Sequence, residues 1–385
     1  MRAHPDARRS PGRVDYAAAV RGQISSVHVL RGVAALLVVW SHLGAYWLFV
    51  VGETSAIQDA WTSWIAGPLH VYQDGGYLGV VLFFLISGYI VTHASMSETR
   101  RSYVVKRLLR IFPALLSSLV VLWTLMHVMA ALGVPMLAFQ GAPASRWLET
   151  LLLVDFFIPG PHVLSLTWTL AIELIFYGLV LAAIGRQRVR PLGTTVAMSA
   201  VWALLASVVT GSVLGEPPTP ESEGLVVLVG VLLVGRCIYL VHTRRANRPA
   251  AAALAVVLGV LVGVFQNLQS PGFLLERAGT DGEPLVTYAM ALALFVGMLA
   301  WAPRRAAQPF AWLGDISYSL YLLHLPVGFA TLGVLHRFDV PGSLATLVAI
   351  AVSLLAAHVS YRLVEQPTQR AARRVLAPRP TAVVV

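Results

Sequence analysis

Apolar residues in this chain come in long blocks, not in the alternation of a strand or the single stripe of a surface helix. Ten blocks reach the roughly 20 mostly apolar residues that a helix needs to cross a bilayer. They cover about 27–51, 76–94, 111–133, 164–185, 192–214, 224–242, 250–267, 284–302, 314–336 and 341–364. Residues 147–158 (WLETLLLVDFFI) are apolar but too few to cross and run into Pro159-Gly160-Pro161, which predicts an interfacial or re-entrant piece. Residues 215–223 (GEPPTPESE) read as a solvated linker. The pattern predicts an all-α, polytopic membrane protein of about ten transmembrane helices. A tail over 1–26 precedes the membrane domain at 27–364, and a second tail covers 365–385.

Composition sharpens this. Of 385 residues, 57% are hydrophobic and 12% charged, against about 45–50% and 25% in soluble domains, which excludes a soluble globular enzyme. The net charge of +10 raises the question of nucleic acid, but the distribution of the charge answers it. Twenty-three of the 28 basic residues, all Arg except Lys106, fall in the N-terminal tail, the alternate connections 95–110, 186–191, 243–249 and 303–313, and the chain from 362 onward. The intervening connections hold Arg146, Arg277 and Arg337 and are acidic, with Glu53, Asp59, Asp74, Glu149, Asp155 and Asp339 among their residues. This asymmetry predicts both termini on the cytoplasmic side of the cell membrane and no nucleic-acid partner. The first 26 residues lack the apolar run of a signal peptide. A lone Cys237 with no Cys/His cluster gives no reason to expect a metal or a disulfide.

Ionisable groups inside spans cost several kcal/mol unless paired or hydrated, so each is a candidate for function. His93, Arg236 and His358 lie near basic ends, where snorkelling to the surface would account for them. His127 reads as a packed or interfacial histidine. His42, Glu173 and His324 sit near the middle of their spans, as a shared hydrated site or as satisfied core groups. Arg31 and His42 are eleven residues apart, within about 20° of three full turns, so both project from one helix face across about 16 Å of rise. A guanidinium at one end of that face suits a phosphate, and an imidazole at the other suits proton removal. Arg107 and Arg110 are neighbours on a helix and, with Lys106, form a basic patch level with Arg31, where membrane anchoring is an equal explanation. Thr169, Glu173 and Tyr177 are spaced by four, with the carboxylate centred between two hydroxyls and His42 or His324 as the expected partner. Ser317, Tyr321 and His324 form another polar stripe, with Tyr318 pointing about 100° away. Ser87-Gly88 would admit a close backbone or a ligand.

Taken in order, five segments resemble the acyltransferase 3 family of integral membrane acyltransferases: LRGVAALLVVWSH (30–42), FFLISGY (83–89), VKRLLRIFP with Arg107 and Arg110, TWTLAIELIFY (167–177) and ISYSLYLLHLPV (316–327). RLVEQP (362–367) is similar to the end of that family's last helix. The resemblance implies His42 as the catalytic histidine with Arg31 as its companion. It also implies Arg107 and Arg110 in binding acyl-CoA, Glu173 in the motif around Trp168, and Ser87, Tyr321 and His324 as support. Two departures stand out: Leu174 and Ile175 occupy positions that are often polar in the family, and the sequence ends without the hydrolase-like domain that many members carry.

The expected activity is O-acyl transfer. An acetyl or other short acyl group would pass from acyl-CoA, as donor and not as a resident cofactor, to a hydroxyl of a glycan, glycolipid or glycosylated natural product. His42 would be the base and Glu173 would orient its ring, by analogy with a catalytic triad. The rival reading is a proton-coupled transporter or glycolipid exporter using the same charged residues, but the inverted repeats and broken helix pairs that would favour it are not evident.

Overall fold

A computed structural model of the chain describes residues 11–134, 136, 142–210, 220–268, 284–301 and 310–377, with backbone alone at 11–25, 220–223, 267–268 and 301. Among the described residues every regular element is helical. The long helices are α1 (Pro11–Trp40), α2 (Gly76–Ser95), α3 (Arg100–Ala131), α5 (Trp168–Ala183), α6 (Pro191–Val209), α7 (Pro220–His242), α8 (Arg248–Leu268), α9 (Pro284–Trp301), α10 (Ala311–Arg337) and α11 (Gly342–Ser360), while α4 (Ala144–Leu152) is short. Among the described residues nine segments have the length and hydropathy to cross a membrane, and Pro284–Ala300 within α9 is apolar but shorter. Each of the ten apolar blocks thus contains one of these long helices in its described part. The piece at 147–158 is α4 followed by a 3-10 turn (Asp155–Phe157), too short to cross. Of the linker expected at 215–223, residues 220–223 instead open α7, while 215–219, residues 1–10 of the first tail and residues 378–385 of the second lie outside the described residues.

Two boundaries move. Helix α3 starts at Arg100, well before the expected 111, because Thr99 caps it by accepting from the Ser102 amide at 3.2 Å. Arg107 and Arg110 are therefore fixed on a helix. At the other end, α11 does not stop at 364. It continues through a π-helical segment (Tyr361–Glu365) into α12 (Gln366–Leu376), which packs against α3. Glu365, where the second tail is expected to begin, is 3% exposed.

Helices α1, α2, α7 and α10 form the centre, with α2 on both α1 and α7 and α1 on α10. In the apolar windows of α2, α7 and α10, 83%, 83% and 78% of residues are buried, against 28–33% in those of α3, α6, α8 and α11. Apolar residues on the outer helices therefore face lipid, as a bilayer requires. The α2–α7 contact depends on two glycines in reciprocal register. A Cβ on Gly88 would lie 2.0 Å from the Leu232 carbonyl oxygen, and one on Gly235 would lie 2.3 Å from that of Leu85. Close backbone approach is how helices associate where lipid removes the hydrophobic driving force. Here it explains Gly88 and fixes the neighbouring Ser87 against α5.

Arg236 does not snorkel. It is 0% exposed, donating to Thr195 Oγ1 at 2.8 Å and Gln187 Oε1 at 2.9 Å, so α6, α7 and the 186–189 turn are tied together by one guanidinium. His93 and His358 are exposed, as expected near helix ends. His127 is exposed too, with Nδ1 2.8 Å from the Trp123 carbonyl and its ring 4.2 Å from the Trp123 ring.

Candidate active site

Past Trp40 the first helix changes pitch. Residues Ser41–Tyr46 are π-helical, with the Trp47 amide bonded to the His42 carbonyl five residues back, before α-helical geometry resumes over Trp47–Val51. Such single-turn widenings occur frequently at functional sites. His42 is the second residue of this one. Its ring meets that of His324 on α10, with centroids 5.1 Å apart and His324 Nε2 3.3 Å from His42 Nδ1.

The proton positions follow from the neighbours. His324 Nδ1 lies 2.7 Å from the Tyr321 carbonyl and 3.2 Å from that of Leu320, and carbonyls only accept, so Nδ1 carries the hydrogen. A ring with that one hydrogen has its lone pair on Nε2. His42 Nδ1 lies 2.8 Å from the Val38 carbonyl and faces His324 Nε2, two acceptors, so it also carries a hydrogen. The His42 lone pair is therefore on Nε2, the tautomer required of a general base. Pro326, two residues beyond His324, lacks the N–H that would bond the Leu322 carbonyl, so the hydrogen-bond ladder of the continuous α10 misses one rung beside the pair.

Toward the arginine-rich end, a cavity of about 40 Å³ lies between α1, α2, α3, α5 and α10 and is lined by Arg31, Ser87, Arg110, Glu173, Tyr318 and Tyr321, among others. Glu173 accepts from Ser87 Oγ in a short hydrogen bond and from Tyr177 Oη at 3.0 Å. The ring facing His42 is that of His324. The second hydroxyl on the carboxylate is Ser87, not Thr169, which instead donates to Tyr321 Oη at 2.9 Å. Tyr321 joins the cavity to the histidines, its ring 5.9 Å from that of His324. Tyr318, expected to point away, also lines the cavity and donates to the Ile111 carbonyl at 3.2 Å.

Arg107 lies one turn before Arg110, 3.7 Å from Glu98 and stacked at 4.8 Å over Tyr103, while Lys106 bonds Glu98 at 2.9 Å. Trp168 packs edge-on against Phe84 at 6.1 Å. Glu365 was not singled out from the sequence. It accepts from Ser319 Oγ at 3.0 Å and from Gln369 at 3.1 Å. Together with Glu173 it exerts an attractive field on both Arg31 and Arg110. The arginines thus sit in a nearly charge-balanced cluster. RLVEQP carried the signal for Glu365, but the expected boundary placed it just outside the membrane.

A second cavity, of about 220 Å³, opens on the opposite side, between the end of the first helix and the 52–75 connection, and its lining includes Ser41, Ala45 and Tyr46. The connection is pinned by Trp61 Nε1 donating to the Asp74 carbonyl at 3.1 Å and Gln58 Nε2 to Asp74 Oδ1 at 3.1 Å. Gln73 and Asp74 both adopt φ of +51°, a strained left-handed backbone for non-glycine residues. Among the described residues no group of three or more His, Cys, Asp or Glu side chains is placed to hold a metal ion.

The chain is 24% identical over 334 residues to YrhL of Bacillus subtilis, whose name assigns it peptidoglycan O-acetylation, covering 77% of this chain and 51% of that protein. It is 24% identical over 372 residues to the O-acetyltransferase OatA of Staphylococcus aureus, covering 89% and 56%. BcsY of Komagataeibacter xylinus, named a membrane-bound transacylase, is 25% identical over 366 residues, covering 88% and 81%. The chain therefore spans about half the length of the first two relatives. No solved structure matches it. The family model described as an acyltransferase domain matches residues 24–362, which takes in both histidines, the two pocket arginines and Glu173, and the chain belongs to the acyltransferase 3 family.

Proposed function

We propose that the protein transfers an acetyl or other short acyl group from acyl-CoA to a hydroxyl of a glycan, glycolipid or glycosylated natural product. It does so in the cytoplasmic membrane, with the arginine-rich face cytoplasmic and His42 as general base. The observation that carries this reading is the His42–His324 contact, whose tautomers put a basic lone pair on His42 Nε2. The names of OatA and YrhL support acetyl as the group moved.

The donor's phosphates rest on Arg31, Arg107 and Arg110. A guanidinium has five N–H donors in a planar fork, so an edge steadied by a carboxylate leaves another for a phosphate. Glu173 and Glu365 are then positioning residues that keep two like charges together beside a membrane interior, with Ser87 and Tyr177 holding Glu173. Trp168 and Tyr321 support the walls of the donor path.

With the thioester beside His42, Nε2 takes the proton of the acceptor hydroxyl while the hydroxyl oxygen bonds to the carbonyl carbon. Collapse of the tetrahedral intermediate breaks the C–S bond. His42 returns the proton to the departing sulfur, and the products are an ester and CoA thiol. His324 Nε2 accepts from His42 Nδ1–H throughout, which orients the ring and stabilises the imidazolium as it forms. Holding donor and acceptor in one site contributes through proximity.

The test is thiol release. Purified protein with acetyl-CoA and a hydroxyl acceptor liberates CoA, and His42→Ala abolishes the release. Undiminished CoA binding by the Arg107→Ala, Arg110→Ala double variant would sink the donor site.

A further inference from the structure

The cavity opposite the arginine-rich face is unused by the donor. Its chemistry differs from that of the donor path in sign as well as in place. Its polar lining includes Glu53, Gln58, Asp59, Gln73 and Asp74, and no Lys or Arg is among its lining residues. Glu53 meets His336 at 2.5 Å, and Asp74 is held by Gln58, so two of the three carboxylates are fixed in position, while Asp59 is exposed. The Gln58 side chain donates through Nε2, but its Oε1 is buried without a hydrogen-bond partner. An unmatched amide oxygen at a cavity wall asks for a donor from whatever fills the cavity.

Position ties the cavity to the reaction. Tyr46 lines it and lies four residues beyond His42, hence on the same side of the helix one turn further out, and Ser41 precedes His42. At about 220 Å³ it is smaller than the roughly 300–1,000 Å³ of sites that enclose a drug-sized ligand, so it admits one ring-sized unit of a larger molecule. Amides and carboxylates beside an aromatic ring match vicinal hydroxyls and a sugar's apolar face. Three carboxylates with no facing arginine or lysine repel an anion.

We infer that this cavity receives the acceptor, and that Glu53, Asp59 and Asp74 select an uncharged or cationic sugar unit and reject one bearing a carboxylate or phosphate. The inference rests on the acyl-transfer reading for its chemistry but not for its binding step. A unit seated here presents its hydroxyl to His42 from the side opposite the donor.

The test uses full-length protein in nanodiscs without acetyl-CoA, so that binding is read apart from transfer. Three soluble probes are titrated: a neutral gluco-oligosaccharide, a glucosamine oligomer and a galacturonic acid oligomer. The neutral and cationic oligomers bind on the order of tenfold more tightly than the uronic acid. Asp59→Asn, which alters an exposed side chain, and Asp59→Asn with Asp74→Asn progressively close that gap. Because the readout is a ratio of two dissociation constants, a partly misfolded sample leaves it intact. Equal affinity for the neutral and acidic oligomers in the unaltered protein, or a gap that neither variant changes, would overturn the inference. If the gap behaves as stated but thiol release from acetyl-CoA fails with every probe, the acyl-transfer reading falls and the sugar site stands.

Discussion

His324 Nε2 lies 3.3 Å from His42 Nδ1 although 282 residues separate them in the chain. In the proposed mechanism the contact makes one imidazole the orienting group of another. Backbone carbonyls of Val38, Leu320 and Tyr321 face the two Nδ1 atoms, and they cannot ionise or move without unwinding a helix.

Replacing His324 should therefore damage turnover more than binding. His324→Ala is expected to lower kcat about 10²-fold, within the range of general-base contributions, while KM for acyl-CoA changes little. His324→Gln, whose amide oxygen can still accept from His42 Nδ1–H, should recover part of the loss. A parallel loss of kcat in both variants would show that packing, not acceptance, is what His324 supplies. Thiol release over a range of donor concentrations separates the two parameters.

Glu365 gives an effect of the opposite sign on the donor. Glu365→Gln preserves the shape against Ser319 and removes one of the two carboxylates competing for Arg31 and Arg110. The donor's phosphates then meet a more positive site. A few-fold lower dissociation constant for CoA is expected, with a lower melting temperature because the two half-buried guanidinium groups lose a counter-charge. Calorimetry and thermal unfolding in detergent read the two effects.

The α2–α7 seam is a structural prediction independent of the chemistry. Gly88→Ala drives a methyl group to 2.0 Å from a backbone oxygen that no rotamer change relieves. A loss of at least about 1–3 kcal/mol is expected, seen as a lower melting temperature. Gly178, which has open space around its Cβ position, should tolerate the same change.

Orientation can be read with single cysteines. Cys237 is buried, so a Cys237→Ser background carrying Thr54→Cys or Ser97→Cys places one thiol at an exposed position at either end of the molecule. In intact cells a membrane-impermeant maleimide should label position 54 and not position 97. The reverse pattern would place the arginine-rich face outside and end the cytoplasmic donor proposal.

The apolar blocks alone determined that this chain is a helical membrane protein, because a bilayer allows only closed hydrogen bonding within each span and so writes its demand into every twenty residues. Spacing along one helix was equally legible. Glu173 and Tyr177, four residues apart on α5, are bonded, because that pair depends only on helical periodicity. Contacts between helices were not legible. The partner of Glu173 proved to be Ser87, brought in by the Gly88 approach to Leu232. His42 found His324, and Arg236 found Thr195 and Gln187 instead of the surface. Glu365 was hidden for a related reason: hydropathy marks where apolar sequence ends, and a carboxylate buried against arginines looks like the start of a tail. Polar pairing in a membrane is set by which faces the packing turns inward, and that is decided by close approaches between helices far apart in the chain, to which a linear pattern of polarity is blind.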